Sequence, residues 1–570
     1  MLPPVWSLLP LFSPLAPGMV DVTDAVGLGK DVVPETVARV CFADLNRDGW
    51  PDLLVDRHRV FLNVADAKSP IGRRFSEVAP EKTHLPKPQV STMAAFADLD
   101  NDGKLDAIFS ENVMPDDKTF KDHGMRTRWQ KGNGDGTFAE TATPLPVPPR
   151  PTISMSLGDV NRDGRLDIFF ANSYKQNYEG YPGDLLLSEG KTGWKTISLP
   201  DAGIPFDDVK DAGGRPSYGG MILSLDGKQS SILSLSYGRR WNRLWAQTSD
   251  GKWEDRGPKL GLDGDENRNG AYPDWLVEYA KTHPQFPSAP EKPFRSNGNN
   301  FDASIGDVDN DGRFDVFLST IVHAWAGGSS DLSRLVFQGA DGAFKTREGY
   351  AVDRIPNPVT TSWNQGDLFA QLADMDGDGW LDLILSSGDY PDQHLRIYRQ
   401  NPGKGFEEVT DAFAASHDGS QQVSLGDVDG DGAPDLVVGQ TFNRLNAQQI
   451  NGRTPTMRLF VNRMAMGKHA IVLRLKGDGK GVSRDALGAV VRAELADGTK
   501  VLRQLVGVGG HAAKQMDFAV DLGIGAADSV KSLEVTWPDA KGTVQTFKNV
   551  KAGTYALTFR GKLSLRSNRR

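Results

Sequence analysis

One nine-residue pattern, D-x-[DN]-x-D-G-x-x-D, recurs six times and constrains the fold more than any other feature of the chain. Copies begin at Asp44, Asp98, Asp159, Asp307, Asp374 and Asp427, with starts 54, 61, 148, 67 and 53 residues apart. The 148-residue gap implies a unit that has lost its motif. A relic lies there: ILSLDGKQSSILSLS keeps two apolar runs around Asp226-Gly227 without the acidic ladder. Every copy has the same surroundings. An alternating apolar run precedes it, a β-rich run such as LDIFF or FDVFL follows, and a third run often ends in Asn. A fourth run opens on an aromatic, as in FSEVA, FAETA and FEEVT. Period-two alternation between Gly, Asp and Pro signals reads as strands, and four strands per repeated unit is the pattern of a propeller blade.

The expected fold class is therefore all-β: a seven-bladed β-propeller over residues 19–465, with blade four degenerate and an insert at 255–300, and a C-terminal β-sandwich-like domain. The seventh unit has strands expected near 421–426, 434–439 and 457–462 but lacks an aromatic-led fourth one. MVDVTDAVGL at 19–28 resembles FEEVTDAFAA at 406–415, so the N-terminal strand is expected to complete that unit and close the ring. Residues 466–562 alternate in five runs between turn signals and read as a small β domain packed beside the ring. Residues 1–18 are apolar, uncharged and Pro-rich, and read either as an imperfect secretory signal or as a disordered leader. Residues 563–570 read as a solvated basic tail.

The Asp pattern is a chemical argument by itself. Four acidic or amide side chains in nine residues repel or compete unless a cation sits among them, and alternating hard oxygen donors suit Ca²⁺. The expected ligands are Asp44, Asn46, Asp48, the Trp50 carbonyl and Asp52; Asp98, Asp100, Asp102, the Lys104 carbonyl and Asp106; and Asp159, Asn161, Asp163, the Arg165 carbonyl and Asp167. The later loops offer Asp307, Asp309, Asp311, the Arg313 carbonyl and Asp315; Asp374, Asp376, Asp378, the Trp380 carbonyl and Asp382; and Asp427, Asp429, Asp431, the Ala433 carbonyl and Asp435. Glycine at the sixth position permits a tight turn. A metal-free Asp turn would explain one copy more easily than six, and an EF-hand needs flanking helices where this chain has strands. Six structural Ca²⁺ ions would move the formal charge from −9 to about +3.

Other function classes find little support. A single cysteine, Cys41, leaves no internal disulfide or zinc–thiolate cluster. A net charge of −9 argues against a nucleic-acid partner, and no apolar run reaches the ~18 residues of a membrane span. No G-x-S-x-G, H-E-x-x-H or phosphate-cradling Gly loop occurs, and His58 and His323 read as structural. In a propeller the Asp loops crowd one face and the remaining connections the other. Those connections are long and rich in aromatic, amide and Arg residues, which suits a glycan or a protein loop. Tyr174, Tyr178, Tyr181, Arg240, Trp241, His323, Trp325 and Tyr390 are the candidate ligand-binding residues.

The motif in its strand context resembles the FG-GAP (VCBS-type) repeats of integrin α-subunit heads and bacterial secreted propellers. SRDALGAVV at 483–491, GVGG at 507–510 and the segment 522–559 resemble the ASPIC/UnbV domain, and the pair occurs together in the cartilage acidic protein family. The resemblance implies a calcium-stabilised propeller. Where that domain usually has an aromatic and Ser-Gln after its Gly pair, this chain has His511-Ala-Ala-Lys-Gln515, which puts a binding role for that loop in doubt.

The expected function is a non-catalytic, calcium-stabilised binding or adhesion-type protein, secreted, periplasmic or on the cell surface, recognising a glycan or protein partner through the face opposite the calcium loops. Two alternatives stand beside it: a carbohydrate-active lyase or dehydratase, which would need His323, Arg240 and Tyr residues to converge near the axis, and a structural subunit of a larger assembly.

Overall fold

The computed structural model describes residues 18–566 apart from 88–91, 115–116, 118–125, 174–179, 191–192, 200–215, 239–240, 265–270, 273, 285–288, 290–298, 323–330, 356–363 and 391–392. Among the described residues, seven antiparallel sheets follow one another between 19 and 462. Their first strands are Val40–Ala43, Thr92–Ala97, Thr152–Gly158, Ser217–Leu223, Asn300–Gly306, Phe369–Ala373 and Ser420–Gly426. In six sheets the second strand starts at the last Asp of the nine-residue motif: Asp52, Asp106, Asp167, Asp315, Asp382 and Asp435. The fourth sheet, built on the relic, has Ser231–Ser236 there instead.

The seventh sheet is completed by the front of the chain. Met19–Asp21 pairs antiparallel with Arg458–Asn462, Met19 opposite Asn462. The ring of sheets is a ring of apolar interfaces. Phe42 and Phe61 meet Val437 and Leu459 between the first and seventh sheets. Leu54 and Val60 meet Phe96 and Phe109 between the first and second. Phe169 meets Ile232 and Trp245 between the third and fourth, and Leu233 meets Val316 between the fourth and fifth. Comparable clusters join the fifth to the sixth and the sixth to the seventh. Cys41 is buried in one such interface, which pushes its thiol up to about 12 and makes it a packing residue.

A serine three residues before the Asp loop stitches the first strands together. The hydroxyls of Ser156, Ser304 and Ser424 accept backbone N–H groups of Ile222, Leu372 and Phe42 at 2.8, 2.9 and 2.9 Å, each on the next sheet around the ring.

The C-terminal region forms two four-stranded sheets. One orders Val520–Gly525, His469–Lys476, Gly553–Thr558 and Leu563–Leu565; the other orders Lys500–Gln504, Val490–Glu494, Ser529–Thr536 and Val544–Lys551. They enclose Leu473, Val491, Leu533 and the fully buried Trp537. Two expectations need correction. The domain does not pack beside the ring: it seats on the Asp-loop face, because its connections carry the side chains that bond those loops. Residues 563–570 are not wholly a solvated tail either, since 563–565 form a strand and Arg566 Nη2 donates to the Asp48 carbonyl at 2.8 Å.

Candidate metal loops and axial site

The Asp loops fold on their own carboxylates. In the loop at Asp98, the Asp102 and Gly103 N–H groups donate to Asp98 at 2.9 and 2.7 Å, and Lys104 N–H donates to Asp102 at 2.9 Å. The same net recurs at Asp159, Asp307, Asp374 and Asp427. Position-six glycines sit at φ +85 to +96°, a region that L side chains rarely adopt. Position four is left-handed as well, at Arg47, Asn101, Arg162, Asn310, Gly377 and Gly430, a requirement the motif reading missed. At three of these sites the residue links neighbouring loops. Asn101 and Asn310 donate to the Gly164 and Gly379 carbonyls at 3.0 and 3.2 Å, and Arg162 donates to Gly227 of the relic at 3.0 Å. The degenerate unit thus keeps Asp226 and its glycine, the latter as an acceptor, after losing the first, third and ninth acids.

The ninth-position aspartates have a second duty. Asp382 Oδ2 accepts Met375 N–H at 2.9 Å and Oδ1 accepts Gln400 N–H at 2.8 Å, which ties the loop to the start of the second strand and the end of the third. Asp52, Asp106, Asp167, Asp315 and Asp435 do the same. Carboxylate oxygens from Asp98, Asp100 and Asp106, from Asp307, Asp309 and Asp311, from Asp374, Asp376 and Asp382, and from Asp427, Asp429 and Asp435 converge to within 4.8 Å of one another. These buried Asp clusters can hold a metal ion. In the other two loops position three is an amide, and Asn46 and Asn161 donate to Asp48 and Asp163 at 3.2 Å.

Burial dominates the electrostatics. It pushes Asp98, Asp159, Asp307 and Asp374 up to about 7 and Asp52, Asp106 and Asp315 up to about 8, with neighbouring carboxylates adding to the rise. Asp167, Asp382, Asp427 and Asp435 lie well above the usual range for the same reason. Carboxyls in such a state await either a proton or a cation. Basic side chains already attend the outer edges: Lys131 pairs with Asp100 and Asp102, and Arg463 with Asp429 and Asp431 at 2.6 and 2.5 Å.

The C-terminal domain reads this face directly. Asp485 accepts Asp98 N–H at 2.7 Å and pairs with Arg47 at 2.5 Å; Arg484 N–H donates to Asn101 at 2.8 Å; Gly525 N–H donates to the Gly377 carbonyl at 3.0 Å. Arg474 pairs with Asp517 at 2.6 Å and lies 3.9 Å from Asp44.

From the same domain the loop 507–517 runs down the axis of the ring. Ser156 and Ser154 on the third sheet donate to the Val508 and Gly510 carbonyls at 3.0 and 2.6 Å. Gly510 and His511 pair with Gly220 and Gly219 on the fourth. Lys514 Nζ donates to Asp302 on the fifth at 2.8 Å and also bonds the Ala370 carbonyl on the sixth. Ser424 on the seventh donates to the Gln515 carbonyl at 2.6 Å, and the Gln515 amide bonds both backbone groups of Phe96 on the second at 2.9 and 3.0 Å. In structural terms this loop bonds six of the seven sheets. Its tip, with Ala512 and Ala513 at φ 51 and 53°, is closed by Lys514 N–H donating to the His511 carbonyl at 3.1 Å.

Among the candidate ligand-binding residues, Tyr181, Trp241 and Tyr390 are described, all half-buried on the face opposite the Asp loops. Tyr390 is electrostatically coupled to Tyr237, and burial pushes its phenol up to about 12. Tyr174, Tyr178, Arg240, His323 and Trp325 lie outside the described residues, so the axial grouping a lyase would need is not placed.

An ASPIC and UnbV family model matches residues 479–562, and an FG-GAP-like repeat model matches 119–170 and 374–438. Among curated proteins none matches the sequence. Solved structures include an Agrocybe aegerita lectin recognising non-reducing terminal N-acetylglucosamine, at 14% identity and TM-score 0.38, covering 66% of this chain and 81% of that one. They also include the V. cholerae biofilm matrix protein Bap1, at 12% identity and TM-score 0.30, with 90% of this chain covered but only 59% of that one. Rhamnogalacturonan lyase YesW is similar at 15% identity and TM-score 0.32, covering 91% and 87%. With its Asp loops, its ring of antiparallel sheets and its C-terminal pair of sheets in place, the chain is a β-propeller protein that carries FG-GAP-like repeats and an ASPIC and UnbV domain.

Proposed function

We propose that this is a non-catalytic binding protein of a calcium-rich, extracytoplasmic setting, in which Ca²⁺ held by the Asp loops fixes the C-terminal domain onto the ring and leaves the opposite face for a ligand. The observation that carries the reading is the repeated convergence of three carboxylates within 4.8 Å, beside the loop residues that bond the C-terminal domain. Such oxygen-only donor sets suit Ca²⁺, and sites on extracellular modules commonly have Kd of about 10⁻⁴–10⁻³ M. At millimolar calcium each tighter site would contribute roughly 1.5 kcal/mol to the folded state. Calcium here neutralises carboxylates; Asp, Asn and backbone groups of the chain do the positioning.

Two loops offer a direct test, because Trp50 and Trp380 occupy their seventh positions. Terbium added to chelator-treated protein is expected to luminesce on tryptophan excitation and to be displaced by millimolar Ca²⁺ but not by equal Mg²⁺. Absence of sensitised emission, or equal displacement by Mg²⁺, contradicts the proposal.

A further inference from the structure

The six Asp loops are not equivalent, because the chain supplies some of them with cations of its own. In the loop at Asp98, the Lys131 ammonium pairs with both Asp100 and Asp102, the third and fifth positions of the motif. In the loop at Asp427, the Arg463 guanidinium spans the same two positions, Nη2 on Asp429 at 2.6 Å and Nη1 on Asp431 at 2.5 Å. Each base directly follows the third strand of its own sheet, Thr127–Gln130 and Arg458–Asn462. The ninth-position aspartates fix those strand ends against the loops: Asp106 accepts Gly132 N–H at 2.9 Å, and Asp435 accepts Asn462 N–H at 2.8 Å. In the loops at Asp159 and Asp307 each base takes a single carboxylate, Arg165 with Asp163, Arg313 with Asp311 and Arg347 with Asp309.

The loop at Asp374 stands apart. Among the described residues, no base forms an ion pair with Asp374, Asp376, Asp378 or Asp382; Arg503 and Lys468 act on Asp374 and Asp378 from beyond pairing distance. The counterpart of Lys131 here is Arg399, which precedes Gln400, whose N–H Asp382 accepts. Arg399 is drawn away to Glu407 on the fourth strand at 3.0 Å, and Asn401 donates to the same carboxylate at 3.1 Å. The C-terminal domain also closes over this loop. A Cβ at Gly523 would fall 2.0 Å from Asp374 Oδ2, and Gly525 N–H holds the Gly377 carbonyl at 3.0 Å. By contrast, a Cβ at Gly103, in the loop that Lys131 attends, would meet nothing within 4 Å.

A divalent ion that enters between two carboxylates must displace the base already paired with them or share the site with a like charge, and either lowers its affinity. We propose that Lys131 and Arg463 are tethered competitors of the metal, which make the loops at Asp98 and Asp427 weak sites. The loop at Asp374, with three convergent carboxylates, no paired base and a domain closed over it, is the tight site. This rests on the calcium reading above and adds an order of filling to it. The Asp374 loop takes its ion at calcium levels that leave the other two loops to their own bases.

The test is equilibrium dialysis of the full, chelator-treated chain against labelled calcium, on wild type, Lys131→Gln, Lys131→Arg, Arg463→Gln and Asp376→Ala. Wild type is expected to show a tight and a weak class of site, and Asp376→Ala to lose the tight one. Lys131→Gln and Arg463→Gln are each expected to tighten one weak site about fivefold and leave the tight class unchanged, while Lys131→Arg binds as wild type does. Native circular dichroism in chelator controls for folding, and the two bases lie on different sheets, so each tests the proposal without the other. Gln variants that bind as wild type or more weakly, or a single class of site in wild type, overturn the proposal and leave the calcium reading standing. Loss of a weak site with the tight class intact in Asp376→Ala overturns the assignment to the Asp374 loop. No calcium bound by any of the five proteins overturns both readings.

Discussion

Asp302 and Lys514 meet at the centre of the ring, 4% and 0% exposed for the Lys and Asp side chains, which is an unusual place for two charges. Asp302 is fully committed: Oδ1 accepts the His511 and Ala303 N–H groups at 3.0 and 2.9 Å, and Oδ2 accepts Ala370 N–H and Lys514 Nζ, both at 2.8 Å. Burial still pushes its carboxyl above the ordinary range, against the pull of Lys514. Removing one partner of a buried pair costs more than replacing both. Lys514→Ala is therefore expected to lose about 3–5 kcal/mol in denaturant unfolding, and the double variant Asp302→Asn/Lys514→Met to recover most of it. Equal losses in single and double variants would show that shape alone matters there. His511 supplies a pH test. Burial, then the charge of Arg39, holds its imidazole down at about 3, against 6.5 for the ordinary group. Between those values the unfolded chain takes a proton that the folded chain refuses. Its stability contribution is thus complete above pH 6.5 and is lost as pH falls toward 3. His511→Gln is expected to gain about 2–3 kcal/mol relative to wild type on going from pH 7.5 to 4.5. A pH-independent difference between the two proteins contradicts the buried, neutral imidazole.

At the scale of the element, the Asp loop is both a carboxylate cluster that can hold a metal and a strand starter, and single residues separate the two roles. Asp376 offers its carboxylate to the cluster and to Asp378 N–H at 3.2 Å, whereas Asp382 holds the Met375 and Gln400 backbone groups as well. Asp376→Ala is expected to remove one bound ion and to lower the melting temperature only when calcium is present. Asp382→Ala is expected to cost about 2–4 kcal/mol with or without calcium, through the stranded N–H groups. Identical calcium dependence for both variants, read by melting with and without chelator, contradicts the division. The clustering of carboxylates was legible in the sequence, because carboxylates two residues apart followed by glycine make a local pattern. So was the pairing of Met19–Asp21 with the last sheet, since one aromatic-led run was missing at 465 and an equivalent one stood at 19. The axial loop was not legible. His511-Ala-Ala-Lys514 has no periodicity, and its partners Ser154, Asp302 and Phe96 lie hundreds of residues earlier. The recurrent S-[LI]-G-D of Ser156, Ser304 and Ser424 was the available signal, a polar residue repeated where a strand should be apolar. The acceptor duty of Gly227 was equally hidden, because the relic keeps Asp226 but has lost the acids at the first, third and ninth positions that marked its siblings.

For the whole molecule, the metal loops sit at the seam between ring and C-terminal domain, so the two should lose order together. The apolar cluster that joins the second and third sheets continues into Leu473, Val491 and Val508 of that domain. Truncation after residue 465 is expected to expose Met93, Met155 and Leu157 of this cluster, leave Asp302 unpaired and yield a protein that binds hydrophobic dyes. A truncated ring as stable as the full chain would contradict the seam. The raised carboxyls set the pH behaviour of the metal-free form. Folded values of about 6–8 lie above the ordinary carboxyl range, so the folded chain holds more protons, and without metal its stability falls as pH rises through 6–8. Calcium bound as proposed would displace those protons, which would make its benefit largest at the alkaline end. The decisive measurement is the melting temperature of the intact protein with and without millimolar calcium at pH 5.5 and 8, alongside elemental analysis. The account predicts several bound calcium ions per chain and a chelation loss that is larger at pH 8; no bound calcium, and a melting temperature indifferent to chelator at both pH values, would contradict it.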